Sequence, residues 1–272
     1  GYGMNAGAKK LVLLAASGMM LASCGTTLTR ADAIEAMNKI STANATATKV
    51  TYKKEWKEAN STKKLGSITG IYDADNKYSH LINNYTDDGK EVKTEAWAYT
   101  KDSTFYIAVA DGDSKQYAKV EDATALANTA STKVAAHLAK GVSSANKANK
   151  YGFCGFLAQF PAGSEVFADG TGSLNTAHIE GESYTSYGEG SLKCTYNAKY
   201  DGQEDEFYSA EWKENLLVSL SNAKKTSSSG YGFETWNWGS AATSTPDLSK
   251  FTEVTGILEK VAFIAIAEAI LA

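Results

Sequence analysis

Between residues 192 and 200 the chain alternates without a break. Leu192, Cys194, Tyr196, Ala198 and Tyr200 take one parity, and Lys193, Thr195, Asn197 and Lys199 take the other. Successive side chains of a strand point to opposite faces, so this pattern demands a strand with one face covered and one face wet. A slip of one residue would expose every apolar side chain at once, so the register is strongly specified. The same period opens at Lys49, where Val50, Tyr52 and Trp56 share a face opposed by Thr51, Lys53, Glu55 and Lys57. Further strands are expected at Leu65–Tyr72, Tyr78–Tyr85, Val92–Tyr99, Thr104–Ala110 and Gln116–Val120, and then at Phe207–Trp212, Leu216–Leu220 and Gly232–Trp238. Short polar turns separate the first group: Asn60–Lys64, Asp73–Asn76, Asp87–Gly89, Lys101–Ser103 and Asp111–Ser114. Strands of this length joined by turns of this kind make antiparallel meanders.

Helices punctuate the strands. Ile34, Met37 and Ile40 give Ala31–Ala43 one apolar stripe, with Thr29 or Asp32 placed to cap it. Asp122–Ala148 is alanine-rich, free of proline and expected to be helical, with Gly141 as an interruption. Tyr151–Phe160 is an aromatic, glycine-containing loop closed by Pro161. The tail Thr255–Ala272 is nearly all apolar beyond Lys260, yet shorter than the roughly 20 residues a membrane-spanning helix needs. It is read as a terminal helix docked on the body, with a contact surface for membrane or partner as the alternative. The class that follows is α+β: a curved antiparallel sheet, a half-open barrel, with an N-terminal helix and a mid-chain helical insertion. Residues 31–254 are expected to form a single domain.

The N-terminus carries a different kind of signal. Met4 is the expected start, Lys9 and Lys10 supply positive charge, and Leu11–Ala22 is an uncharged apolar run. This order is that of an export signal. It ends in Leu21-Ala22-Ser23-Cys24, which resembles the lipobox of bacterial lipoproteins position by position. The resemblance implies cleavage before Cys24, a diacylglyceryl group on its sulfur, residues 24–30 as a tether, and an extracytoplasmic domain anchored to a bacterial membrane. Two acyl chains hold stably where one anchors only marginally. With Cys24 so used, Cys154 and Cys194 remain. An exported chain permits a disulfide between them, and two separate buried thiols are the alternative.

Composition removes several function classes. The formal net charge is −4 and Arg30 is the only arginine, which argues against nucleic-acid partners and against arginine clamps on phosphate or carboxylate. His80, His137 and His178 stand far apart with no ligand neighbours at zinc-site spacing. The pairs Asp73/Asp75, Asp87/Asp88 and Asp111/Asp113 fall at turns, where aspartate is favoured, rather than in calcium loops. Ser-x-x-Lys occurs at Ser61, Ser144 and Ser221 without the motifs that accompany it in penicillin-recognising enzymes. No catalytic constellation, cofactor or metal is expected. Trp56, Trp97, Trp212, Trp236 and Trp238 all fall in strand tracts, either filling a core or lining a cavity. The tract Glu-Trp-Lys-Glu occurs at residues 55–58 and again at 211–214, two strands meeting one need with the aromatic inward and the charges outward.

The order of helix, meander, helical insertion and second meander, together with the lipobox, resembles the LolA- and LppX-like lipoprotein carriers across Ala31–Val254. That resemblance implies a half-open barrel holding acyl chains. The expected ligand is a lipid or other apolar small molecule, and Tyr52, Trp56, Phe105, Ile107, Tyr196 and Trp212 are the expected lining. A surface adhesin or structural lipoprotein with a filled core is the alternative, and the apolar tail departs from the carrier pattern.

Overall fold

A computed structural model describes residues 24–43, 45–57, 65–120, 128–129, 131–133, 135–136, 167–168, 173–174, 179–198, 206–224 and 231–271. The chain divides into two compact units, one of Gly1–Ala45 with Leu138–Phe233 and one of Thr46–His137 with Glu234–Ala272. Among the described residues each is built of mainly antiparallel strands with a helix laid against them, so the α+β class holds.

In the first unit, strand β1 (Thr26–Leu28) leads into helix α1 (Arg30–Thr42). Thr29 caps the helix, its hydroxyl accepting from the backbone N–H of Asp32 at 3.1 Å. Of the expected stripe Met37 and Ile40 are buried, while Ile34 is half-buried and Ala33 takes the third buried position. A small hairpin joins β8 (Phe167–Ala168) to β9 (Ser173–Leu174). Strands β10 (Ile179–Ser186), β11 (Leu192–Ala198), β12 (Glu206–Lys213) and β13 (Leu216–Lys224) then pair antiparallel in sequence order. Thr26–Leu28, expected as part of a free tether, pairs antiparallel with β10 (Thr26 opposite Ser186), because an edge backbone accepts any strand that can reach it. Arg30 binds both carboxylate oxygens of Glu182, and Tyr184 donates to the same group, so the first turn of α1 is tied to β10.

The second unit is the meander read from the sequence. Strands β2 (Lys49–Lys57), β3 (Leu65–Asp73), β4 (Tyr78–Asp87), β5 (Lys90–Lys101), β6 (Thr104–Asp111) and β7 (Ser114–Val120) pair antiparallel in order. Asp88 and Gly89, and Asp102 and Ser103, carry positive φ at hairpin tips, the conformation a tight right-twisting hairpin requires. β14 (Tyr231–Trp238) lies beside β2, and β15 (Thr252–Glu253) runs parallel to β7. The chain ends in helix α2 (Ile257–Leu271), which contacts β4 to β7.

Each face of this second sheet has its own cover. On one face Phe263, Ala267 and Leu271 of α2 pack on Ala96, Ala98, Phe105, Ile107, Val109 and Ala118. The alanines of the strands let the helix approach closely. On the other face Tyr78, Trp97, Tyr99 and Ala108 gather Ile71, Tyr106, Tyr117, Leu248 and Phe251. The extended segment around residues 240–251 is pinned there. Tyr78 donates to the Ser244 carbonyl at 2.6 Å and accepts from the Ser244 N–H at 3.1 Å.

The insertion expected at Asp122–Ala148 falls mostly outside the described residues; those it does include, 128–129, 131–133 and 135–136, are helical. The loop Tyr151–Phe160, with Cys154, lies outside them altogether, as do His137, His178 and the segment 1–23 with Leu21, Ala22 and Ser23.

Candidate functional site

The register gathers the expected lining residues onto two sheet faces, one in each unit. In the second unit Tyr52 stands opposite Gly70, Gly70 opposite Leu81, Leu81 opposite Ala96 and Ala96 opposite Val109. Directly opposed residues share a face, so Tyr52 and Trp56 lie on the same face as Phe105 and Ile107. Phe105 and Ile107 sit in the packed cluster beneath α2. Tyr52, buried, and Trp56, half-buried, lie farther along that face, near the buried Tyr72 and Trp236. The Tyr52 phenol donates to Glu234 at 2.7 Å, and its ring meets Trp236 at 5.2 Å. Burial first, and the Glu234 carboxylate second, hold that phenol protonated well above its ordinary range. The indole of Trp56 lies over Gly66: a Cβ there would come within 2.7 Å of the ring, so only glycine admits it.

In the first unit Tyr196 and Trp212 fall together. Tyr196 opposes Tyr208, and Trp212 opposes Leu192 on one side and Leu217 on the other. A β-bulge between Glu211 and Trp212 displaces the β13 register at that point. Tyr184, Leu192, Cys194, Tyr196, Tyr208, Ala210, Trp212, Leu217 and Leu220 are all buried. On the opposite parity Lys213 is exposed, Glu211 half-buried, and the two lie 3.9 Å apart. The rings of Tyr196 and Tyr208 stack at 5.1 Å. Helix α1 contacts β10 and β11. Trp212 is 0% exposed, and its indole N–H has no hydrogen-bond partner among the described residues.

Cys194, on this same face, is disulfide-bonded, whereas Cys24 is free and exposed. Tyr72, Tyr184 and Tyr208 belong to these faces and were not singled out from the sequence; Trp236, one of the five strand tryptophans noted there, is buried as well. The signal for Tyr72 was its parity with Tyr52 and Trp56 once β2 and β3 are paired.

A histidine is buried among the strands. His80, 5% exposed, stacks on Trp97 at 4.5 Å and lies 2.9 Å from a Glu95 oxygen. Burial outweighs that carboxylate and pulls the imidazole pKa below its ordinary value, so near neutrality the contact is a hydrogen bond from a neutral ring. Asp73, one of the turn aspartates, accepts from the backbone and side chain of Asn76. Among the described residues no group of three or more His, Cys, Asp or Glu is arranged to hold a metal ion. No helix among them is long and apolar enough to cross a membrane.

No family model matches this chain, and no curated protein matches it. Among solved structures, the crystal structure of LprF from Mycobacterium bovis is similar at 11% sequence identity, over 79% of this chain and 97% of that one, with a TM-score of 0.32.

Proposed function

We propose that this chain is an extracytoplasmic lipoprotein, held at a bacterial membrane through a lipidated Cys24, that binds an apolar ligand such as a lipid against the aromatic face of β10–β13. The observation that carries the reading is that face. Tyr184, Tyr196, Tyr208 and Trp212 with Leu192, Leu217 and Leu220 form one apolar surface, and α1 lies over its β10–β11 end. Removing such a surface and an acyl chain from water together is worth about 25 cal/mol per Å² before losses. The face is closed to solvent as it stands, so uptake parts the elements that cover it, and the sheet then serves as a half-open barrel. The proposal needs no reaction chemistry and no cofactor. The disulfide of Cys194 is assigned to Cys154, the one cysteine left once Cys24 is free, and it would brace the same face.

A second reading is favoured by α2. That helix fills the corresponding face of the second unit, which is what a packed, ligand-free surface lipoprotein requires. Its outer side exposes Ile257 (82%), Leu258 (81%), Val261 (63%) and Ile266 (57%), an apolar strip suited to contact with another molecule.

The test is extraction of natively purified protein with organic solvent, with fractionation of the Cys24→Ala variant run in parallel. The carrier reading expects acyl lipid in the extract, an acyl mass at Cys24, and a Cys24→Ala protein released from the membrane fraction. Replacing Trp212 with Glu should abolish lipid uptake. A lipid-free extract, together with no uptake of added lipid by wild-type protein, would leave the interaction reading in its place.

A further inference from the structure

We propose that Trp212 reads a neutral hydrogen-bond acceptor on the ligand, so that the aromatic face of β10–β13 selects lipids carrying an ester or amide carbonyl over plain hydrocarbon chains. This inference rests on the carrier reading and adds to it the class of ligand.

It starts from a satisfaction problem. A buried indole N–H is a donor with no acceptor function of its own, and leaving it without a partner carries a penalty that any acceptor arriving on the face would remove. Trp212 is such a donor, fully buried and without a partner among the described residues. The side chains paired with it on either side are Leu192 and Leu217, which offer no acceptor.

The neighbours also decide the charge of the group that fits. Trp212 shares its face with Leu192, Cys194, Tyr196, Tyr208, Ala210 and Leu217, none of them cationic. The only arginine is already engaged by both oxygens of Glu182. Lys193 and Lys213 belong to the opposite parity. A carboxylate or phosphate brought to Trp212 would be a buried anion with no partner charge among the described residues of this face, which is strongly disfavoured. A carbonyl oxygen needs one donor and no counter-charge.

Trp97 supplies the contrast. Its N–H also lacks a partner among the described residues, but its ring is stacked on His80 and met edge-on by Phe251, with a titratable imidazole and its Glu95 partner beside it, whereas the residues paired with Trp212 are aliphatic.

The experiment compares a diacylglycerol with its dialkyl-ether analogue as competitors for a fluorescent acyl probe bound to the purified full chain. Wild-type protein should prefer the ester about five- to tenfold, the range one recovered hydrogen bond supplies. Trp212→Phe keeps the apolar ring, loses the N–H, and should bind both lipids with nearly equal affinity. Preference retained in Trp212→Phe, or no preference in wild type, overturns the inference while leaving the carrier reading intact. Failure of wild-type protein to bind either lipid overturns both. Should Trp212→Phe not fold, the indole N–H resonance of Trp212 in 15N-labelled wild-type protein decides. It should move downfield on adding the ester and not on adding the ether, and an unmoved resonance with ester bound refutes the assignment.

Discussion

Phe263 is the side chain on which the docking of α2 turns. It is buried in the cluster formed with Ala96, Ala98, Phe105, Ile107, Val109 and Ala118. An aromatic of this kind withdraws about 150–200 Å² from water, which at about 25 cal/mol per Å² is ~4 kcal/mol. Truncating buried phenylalanine to alanine costs about 3–5 kcal/mol, the excess over transfer depending on how far the surroundings collapse. The alanines of β5 and β7 have no long side chains to swing into the space, so the cost of Phe263→Ala should fall at the upper end of that range. Leu258, on the same helix but 81% exposed, is the matched control, and Leu258→Ala should stay within about 0.5 kcal/mol. The assay is urea unfolding with hydrogen exchange read at the amides of α2, β5 and β6, so that opening of this unit is measured by itself. If Phe263→Ala costs no more than Leu258→Ala, the helix does not dock as described, and Phe105 and Ile107 lose their cover.

Two further outcomes follow from buried groups. Non-reducing peptide mapping should recover Cys194 linked to Cys154 with Cys24 outside the pair, and reduction should lower stability by about 2–4 kcal/mol; recovery of Cys194 with any other partner refutes the pairing. His80, whose pKa is lowered by burial, makes the second unit sensitive to acid. Below about pH 6.5 the unfolded chain takes up a proton that the folded ring resists, so the unfolded state binds more protons and stability falls as pH falls through that window. His80→Gln should flatten this part of the pH–stability curve, and an unchanged slope would remove His80 as its source.

The strands were legible because alternation and turn chemistry act locally and agree. Leu192, Cys194 and Tyr196 are buried as their parity requires, and the positive φ at Asp88 and Gly89 falls within the turn read at Asp87–Gly89. Thr29 caps α1, and the apolar tail is a docked helix. The pairing of Thr26–Leu28 and the parallel contact of Thr252–Glu253 were not legible, because two- and three-residue strands carry no period of their own. The candidate site was legible by parity and not by neighbourhood. Tyr52, Trp56, Phe105 and Ile107 do share a face, but nothing along the chain says that Phe263 and Leu271, over 150 residues away, lie over part of it. The division of the six residues between two units depends on long-range pairing that no local pattern encodes.

The pairing of β1 sets how the chain would stand on a membrane if Cys24 carries the proposed lipid. Only Gly25 separates Cys24 from Thr26, the first residue held opposite β10. Two residues of extended chain reach at most about 7 Å. A lipid on Cys24 would therefore seat the edge of the first sheet almost in the headgroups, with no leash on which to swivel and no reach into the space beyond. Any cargo would be exchanged at the bilayer surface itself, with partners met by sliding in the plane of the membrane.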